Sequence, residues 1–154
     1  MKSGTFTQLY THLVFAVKYR ERLLNNEIRA EVTRYISGII TNRKNKSIII
    51  NGMPDHIHLL IGLNPNDKIS DLVGCIKRDS STFINQKEWF SGKFYWQDGY
   101  GAFSYGKSQL DAIYNYIASQ ENHHKIRTFR HEYTELLKKF EIEYDEKYLF
   151  DFFN

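Results

Sequence analysis

At 154 residues, with 42% hydrophobic and 16% aromatic content, the chain is long enough for one domain with a real core and too apolar to be disordered. A net charge of +3 is compatible with a nucleic-acid partner without demanding one, and the one cysteine, Cys75, excludes an internal disulfide. No apolar run approaches the roughly 18 residues of a membrane span, and no signal-peptide core is visible, so a soluble cytoplasmic protein forming one domain, 1–154, is expected.

Residues 5–17 are rich in Thr, Tyr, Val and Phe and predict a first strand, with His12 inside it as a hydrogen-bonded strand residue. Lys18, Arg20 and Arg22 follow, with Tyr19 among them, a set able to hold phosphates and a base or to form a solvated loop. Asn25 or Asn26 can cap a helix reaching about residue 42, whose Ile28, Val32, Ile36, Ile39 and Ile40 define one buried stripe. Arg43, Lys44 and Lys46 close it with the charge its dipole favours. A short strand over 47–50, a turn over 52–55 and a strand carrying His56 and His58 read as a hairpin. Asn64-Pro-Asn-Asp67 ends that strand and can cap a second helix, with Ile69, Leu72, Val73, Ile76 and Phe83 on one face and Lys77 and Arg78 on the other. The aromatic and glycine-rich stretch 89–105 leads into a last strand. Residues 106–108 break it before a helix over about 108–124, and a C-terminal helix and tail occupy about 129–154.

That order predicts an α+β fold: a ferredoxin-like or RRM-like split β-α-β sandwich, an antiparallel sheet with helices on one face, plus C-terminal helices. Side chains two apart on a strand share a face, so His56 and His58 project together while Ile57, Leu59 and Ile61 bury on the other side. Two imidazoles on one rigid strand suit a divalent ion; the alternative is a strand whose polar face happens to carry histidines. With both crossover helices on one face, the histidine face is left for a ligand.

The helix after Ser108 shows two stripes. Leu110, Ile113, Tyr114 and Ile117 have core spacing, which places Tyr114 in the interior. Tyr116, Gln120 and His123 share a second face, so Gln120 can add a third ligand beside a tyrosine able to attack a polarised phosphate. The alternative is an exposed tyrosine on an amphipathic helix.

Pro54-Asp-His-Ile-His58 resembles the His-hydrophobic-His motif of HUH nucleases. Tyr116-Ile-Ala-Ser-Gln120 resembles the Tyr-x-x-x-Gln element of the small single-tyrosine transposases of bacterial insertion sequences and their REP-associated relatives. Thr11-His-Leu-Val-Phe15, Lys18-Tyr-Arg20, Trp96-Gln97, Gly101-Ala-Phe-Ser104 and Gln120-Glu-Asn-His-His124 match that family in order, over roughly 10–140. Phe15-Ala-Val17, where relatives often carry tryptophan and proline, and Tyr105, where many have valine, depart from the pattern.

The resemblance implies a transposase that cleaves and rejoins single-stranded DNA carrying hairpin ends, through a 5′-phosphotyrosine link. It implies Tyr116 as nucleophile, and His56, His58 and Gln120 as ligands of a divalent ion, Mg²⁺ or Mn²⁺. It further implies a homodimer in which the tyrosine helix of one subunit completes the histidine site of the other. His123 and His124 are second choices beside the site, and Lys18, Arg20, Arg22, Lys44, Lys77 and Arg78 are candidate DNA contacts. Other readings are a non-catalytic RNA-binding module with bases stacked on the sheet, a metal-dependent hydrolase of small phosphoesters, and a domesticated relative processing chromosomal repeats.

Overall fold

A computed structural model describes residues 4–121 and 128–149. In chain order it contains β1 (Tyr10–Ala16), α1 (Asn26–Asn42), β2 (Lys46–Met53), β3 (His56–Gly62), α2 (Ile69–Gln86), β4 (Gly101–Tyr105), α3 (Leu110–Ala118) and α4 (Phe129–Lys139). Single 3-10 turns occupy Lys18–Arg20, Lys107–Gln109 and Glu146–Tyr148. The sheet order is β2-β3-β1-β4, and every pairing is antiparallel, which is the expected split β-α-β sandwich. Among the described residues no helix is long and apolar enough to cross a membrane.

Local chemistry sets the element ends. The Ile28 N–H donates to the Asn25 side chain at 3.0 Å, so Asn25 rather than Asn26 caps α1. Asp67 does not cap α2; Lys68 holds the cap position, and the Asp67 carboxylate instead accepts hydrogen bonds from Arg43 and from Asn45 Nδ2. β2 runs longer than the 47–50 expected, because pairing with β3 continues down to Met53 opposite His56. Gly52 makes this tight hairpin possible, since a Cβ there would lie 2.2 Å from the His56 carbonyl oxygen.

The register separates two faces, because directly opposed residues point the same way. Leu13 faces Leu59 and Phe15 faces Ile57; this side packs on Val32, Ile36 and Ile40 of α1 and Leu72 and Ile76 of α2, all fully buried. Burial of each such side chain contributes roughly 1.5–3 kcal/mol. On the opposite side lie His12 against Leu60, Val14 against His58 and Ala16 against His56.

That second face is not left open as the sequence suggested. α3 and α4 lie across it, because it also carries Val14, Leu60 and Phe103, whose apolar surface needs cover. Ile113 and Ile117 of α3 pack on Leu60, and Phe129, Tyr133, Leu136 and Leu137 of α4 are buried. Gly101 admits α4: a Cβ there would meet the Tyr133 hydroxyl at 2.7 Å. Tyr114, expected in the core, is 42% exposed. The buried stripe of α3 narrows to Ile113 and Ile117, one turn apart, and Tyr114 is turned about 100° away from Ile113.

Candidate active site

β3 delivers His56 and His58 to the second face, and both are fully buried. Behind His56, its Nδ1 lies 2.7 Å from Asp55 Oδ1, so the ring donates there and turns Nε2 forward. Asp55 in turn accepts from Arg20 Nε at 2.9 Å and from a second guanidinium nitrogen, a forked pair with both partners nearly buried. Burial pushes the Asp55 carboxyl up, but the His56 hydrogen bond and the Arg20 charge outweigh it and hold it well below the usual carboxylate range. Burial also lowers His56 itself to about 4, against the opposing pull of Asp55, so the ring is neutral and available as a donor of its lone pair. Behind His58, Nδ1 lies 2.8 Å from His12 Nε2.

α4 brings Glu132 to the front of both rings. Its Oε1 is 3.1 Å from His58 Nε2 and 3.8 Å from His56 Nε2. Gln120, just past the C-cap Ser119 of α3, is fully buried, with Oε1 3.3 Å from His56 Nε2 and Nε2 3.4 Å from Glu132 Oε2. Phe129, one turn before Glu132, stacks on His56 with centroids 3.7 Å apart and planes within 3°. Asn51 on β2, opposite His58, donates to the carbonyls of Ile117 and Ala118 at 2.9 and 3.2 Å. It thereby satisfies orphan carbonyls at the end of α3 and fixes that end near the site.

The donor set fits a divalent metal ion. His56, His58 and Glu132 each offer a ligand atom, and these lie within 4.8 Å of one another. Ligands at bond lengths of about 2.1 Å around an octahedral ion stand about 3 Å apart along each edge, which resembles the 3.1 and 3.3 Å separations here. Two imidazoles, an amide oxygen and a carboxylate suit a borderline ion.

Tyr116 is half-buried, edge-on to His58 with centroids 5.9 Å apart and to His12 at 6.4 Å. A half-open cavity of about 390 Å³ adjoins it, lined among others by Tyr105, Gln109, Ile113, Tyr116, Glu132 and Glu135. Of the two tyrosines of α3, Tyr116 turns toward the histidines and Tyr114 toward solvent.

The basic candidates are dispersed. Lys18, Arg22, Lys44 and Arg78 are exposed, and Lys18 Nζ stands 5.4 Å from the centroids of both Tyr19 and Tyr95. Arg20 is 4% exposed and committed to Asp55. Lys77 donates to the carbonyls of Gln97 and Gly99 at 2.7 and 2.6 Å, clamping the 87–100 loop, and burial lowers its ammonium to about 8. His123 and His124 lie outside the described residues. Sequence reasoning missed Glu132, Asp55, Arg20 as a support and Asn51. Asp55 had a signal, being adjacent to His56 in a strand-entry turn; Glu132, 74 residues from His58, had none.

A split β-α-β sheet with paired histidines beneath a tyrosine-bearing helix is the arrangement of a single-tyrosine transposase. Residues 5–120 match the family model described as IS200-like transposase, and the chain belongs to that family of DNA-cleaving, strand-transferring enzymes. It is 29% identical over 124 residues to the ISDra2 transposase TnpA of Deinococcus radiodurans, covering 77% of this chain and 89% of that one. It is 27% identical over 120 residues to the transposase of insertion sequence element IS200 from Salmonella typhimurium, covering 75% and 78%. Among solved structures, a transposase from D. radiodurans superposes with a TM-score of 0.60 at 27% identity, covering 78% of this chain and 96% of that chain. A REP-associated tyrosine transposase bound to a REP hairpin superposes with a TM-score of 0.56 at 14% identity, covering 76% and 70%, a likeness of fold.

Proposed function

We propose that this transposase acts on single-stranded DNA carrying a hairpin, with Tyr116 as the nucleophile. The observation that carries the reading is the placement of Tyr116 over His58, at the mouth of a cavity that reaches Glu132. The buried histidines leave that cavity as the approach for a phosphate, and an exposed, unpaired strand is the form of DNA that can bend one phosphate into it. Tyr116 Oη attacks the phosphorus, a P–O bond to Tyr116 forms, and the bond to the 3′ oxygen breaks. The strand leaves with a free 3′-OH, and the 5′ phosphate stays on Tyr116. The 3′-OH of a second strand reverses the step, restoring the tyrosine.

His56, His58 and Gln120, joined by Glu132, would hold Mg²⁺ or Mn²⁺, which supplies charge neutralisation at the phosphate when bound. Asp55 with Arg20 and Asn51 keep those side chains in register. The hairpin as partner is supported by the structural neighbour that binds a REP hairpin. Of the candidate contacts, Lys18, Arg22, Lys44 and Arg78 are exposed and could meet its phosphates, Arg78 while paired with Asp79. The active form in this reading is a cytoplasmic homodimer that exchanges α3 about 106–108, so each Tyr116 serves the partner's histidines.

The test is incubation with single-stranded hairpin DNA and Mn²⁺, followed by a denaturing gel. A covalent adduct is expected from the unaltered protein. It should be absent with chelator, His56→Ala, His58→Ala or Tyr116→Phe, and recovered when His56→Ala and Tyr116→Phe proteins are mixed. An adduct formed by Tyr116→Phe would overturn the assignment of the nucleophile, and no recovery on mixing would overturn the exchange.

A further inference from the structure

The two metal-facing histidines are backed by different chemistry. Behind His56 stands a carboxylate, which only accepts, so His56 Nδ1 carries the proton and, in the neutral ring, Nε2 presents its lone pair. Behind His58 stands another imidazole. His12 Nε2 is 2.8 Å from His58 Nδ1, the rings stack with centroids 5.1 Å apart and planes within 18°, and neither ring is exposed. One proton lies between these two nitrogens, and either ring can own it.

The position of that proton decides what His58 offers to the front. With the proton on His12 Nε2, His58 accepts at Nδ1, carries its own proton on Nε2 and donates it to Glu132 Oε1 at 3.1 Å. Every N–H is then paired, and the only unmet group is the lone pair of His12 Nδ1, a buried atom with no hydrogen-bond partner among the described residues. With the proton on His58 Nδ1, Nε2 presents a lone pair, and His12 must carry its proton on Nδ1. That nitrogen has no hydrogen-bond partner among the described residues; Phe103, Tyr105 and Tyr116 lie around the ring at 5.7, 6.2 and 6.4 Å between centroids.

We infer that His12 is the positioning residue of the metal centre: its tautomer sets which nitrogen state His58 presents, and metal binding reverses it. The inference rests on the metal reading given above. An ion held at His58 Nε2 would require that nitrogen without its proton: the proton would pass to solvent, the shared proton would move from His12 to His58, and His12 would take one proton from solvent at Nδ1. The count on the two rings is unchanged, two before and two after. The first arrangement is the more comfortable without metal, so the His58 arm makes binding conditional while the His56 arm does not.

The experiment uses the full chain labelled with ¹⁵N at histidine, titrated with Zn²⁺ as a diamagnetic probe and read by long-range ¹H–¹⁵N correlation. The expected result is that His12 changes from an Nε2–H to an Nδ1–H pattern as His58 does the reverse. Titration of Mn²⁺ followed by electron paramagnetic resonance adds the variants. His12→Phe, which keeps the ring but cannot accept, should bind Mn²⁺ about 10–100-fold more weakly, and His12→Gln, whose amide oxygen can stand near the Nε2 position, should recover most of it. An unchanged His12 pattern on metal addition, or equal affinity of His12→Phe and the unaltered protein, overturns the role of His12 while leaving the metal reading intact. Failure of the unaltered protein to bind either ion, or binding that survives in His56→Ala, overturns the metal reading and this inference with it.

Discussion

On the α1/α2 side of the sheet, Leu13, Phe15, Ile57 and Leu59 meet Val32, Ile36, Leu72 and Ile76. On the α3/α4 side, one residue further along the same strands, His56 and His58 meet Gln120, Glu132 and Phe129, with His12 behind His58. Both sides bury their side chains, yet only the first can be exchanged residue for residue among aliphatics without losing a specific partner. On the second, His58 and Gln120 depend on partners in other elements, so cover and alignment have to be achieved together. A strand period of two thus places a packing surface and a reactive surface back to back, and rigidity of the first fixes the geometry of the second.

The largest effect on stability should come from the packing side. Leu59→Ala removes a fully buried side chain between β1 and the helices and should lower unfolding free energy in urea by about 2–5 kcal/mol. A loss under about 1 kcal/mol would show that this face does not anchor the sheet. Gly101→Ala attacks the other side, because its Cβ would sit 2.7 Å from the Tyr133 hydroxyl and 3.0 Å from its ring. The expected cost is about 1–3 kcal/mol, with α4 pushed outward and Mn²⁺ affinity reduced as Glu132 leaves His58. If stability falls and Mn²⁺ affinity does not, α4 covers the face without contributing a ligand.

Acid should separate the two sides without mutation. His56 is held near 4, mainly by burial, against 6.5 in the ordinary range, with Asp55 behind it, His58 and Glu132 before it and Phe129 on its face. The unfolded chain therefore binds this proton more readily than the folded one. Its contribution is complete above about 6.5 and declines as pH falls toward about 4. Asp55, held low, adds in the same direction further down, its contribution present above 3.8 and lost as pH falls. Thermal melts should drop from about pH 6.5 down toward pH 4, and less so in a His56→Gln protein. Equal slopes in both proteins would remove His56 as the source.

The smallest effect should be that of Tyr114→Phe. The ring is 42% exposed, so loss of its hydroxyl should change stability by less than about 0.5 kcal/mol and leave adduct formation unaltered. Loss of the adduct in this variant, with Tyr116→Phe active, would reverse the assignment of the two faces of α3.

The local pattern determined a good deal by itself. Alternation put His56 and His58 on one face and Ile57, Leu59 and Ile61 on the other, and the order of elements defined the sheet. These are properties of neighbours in the chain, whose geometry the backbone period dictates. The helix expected over about 108–124 instead ends at Ala118, so Gln120 reaches His56 from beyond its C-cap. Glu132 in front of the histidines, His12 behind His58, Asn51 at the end of α3 and the exposure of Tyr114 were decided only by tertiary packing. Sequence separations of 74, 46 and 66 residues for the three contacts carry no period, and which elements cover the histidine face depends on apolar surfaces summed over the whole sheet.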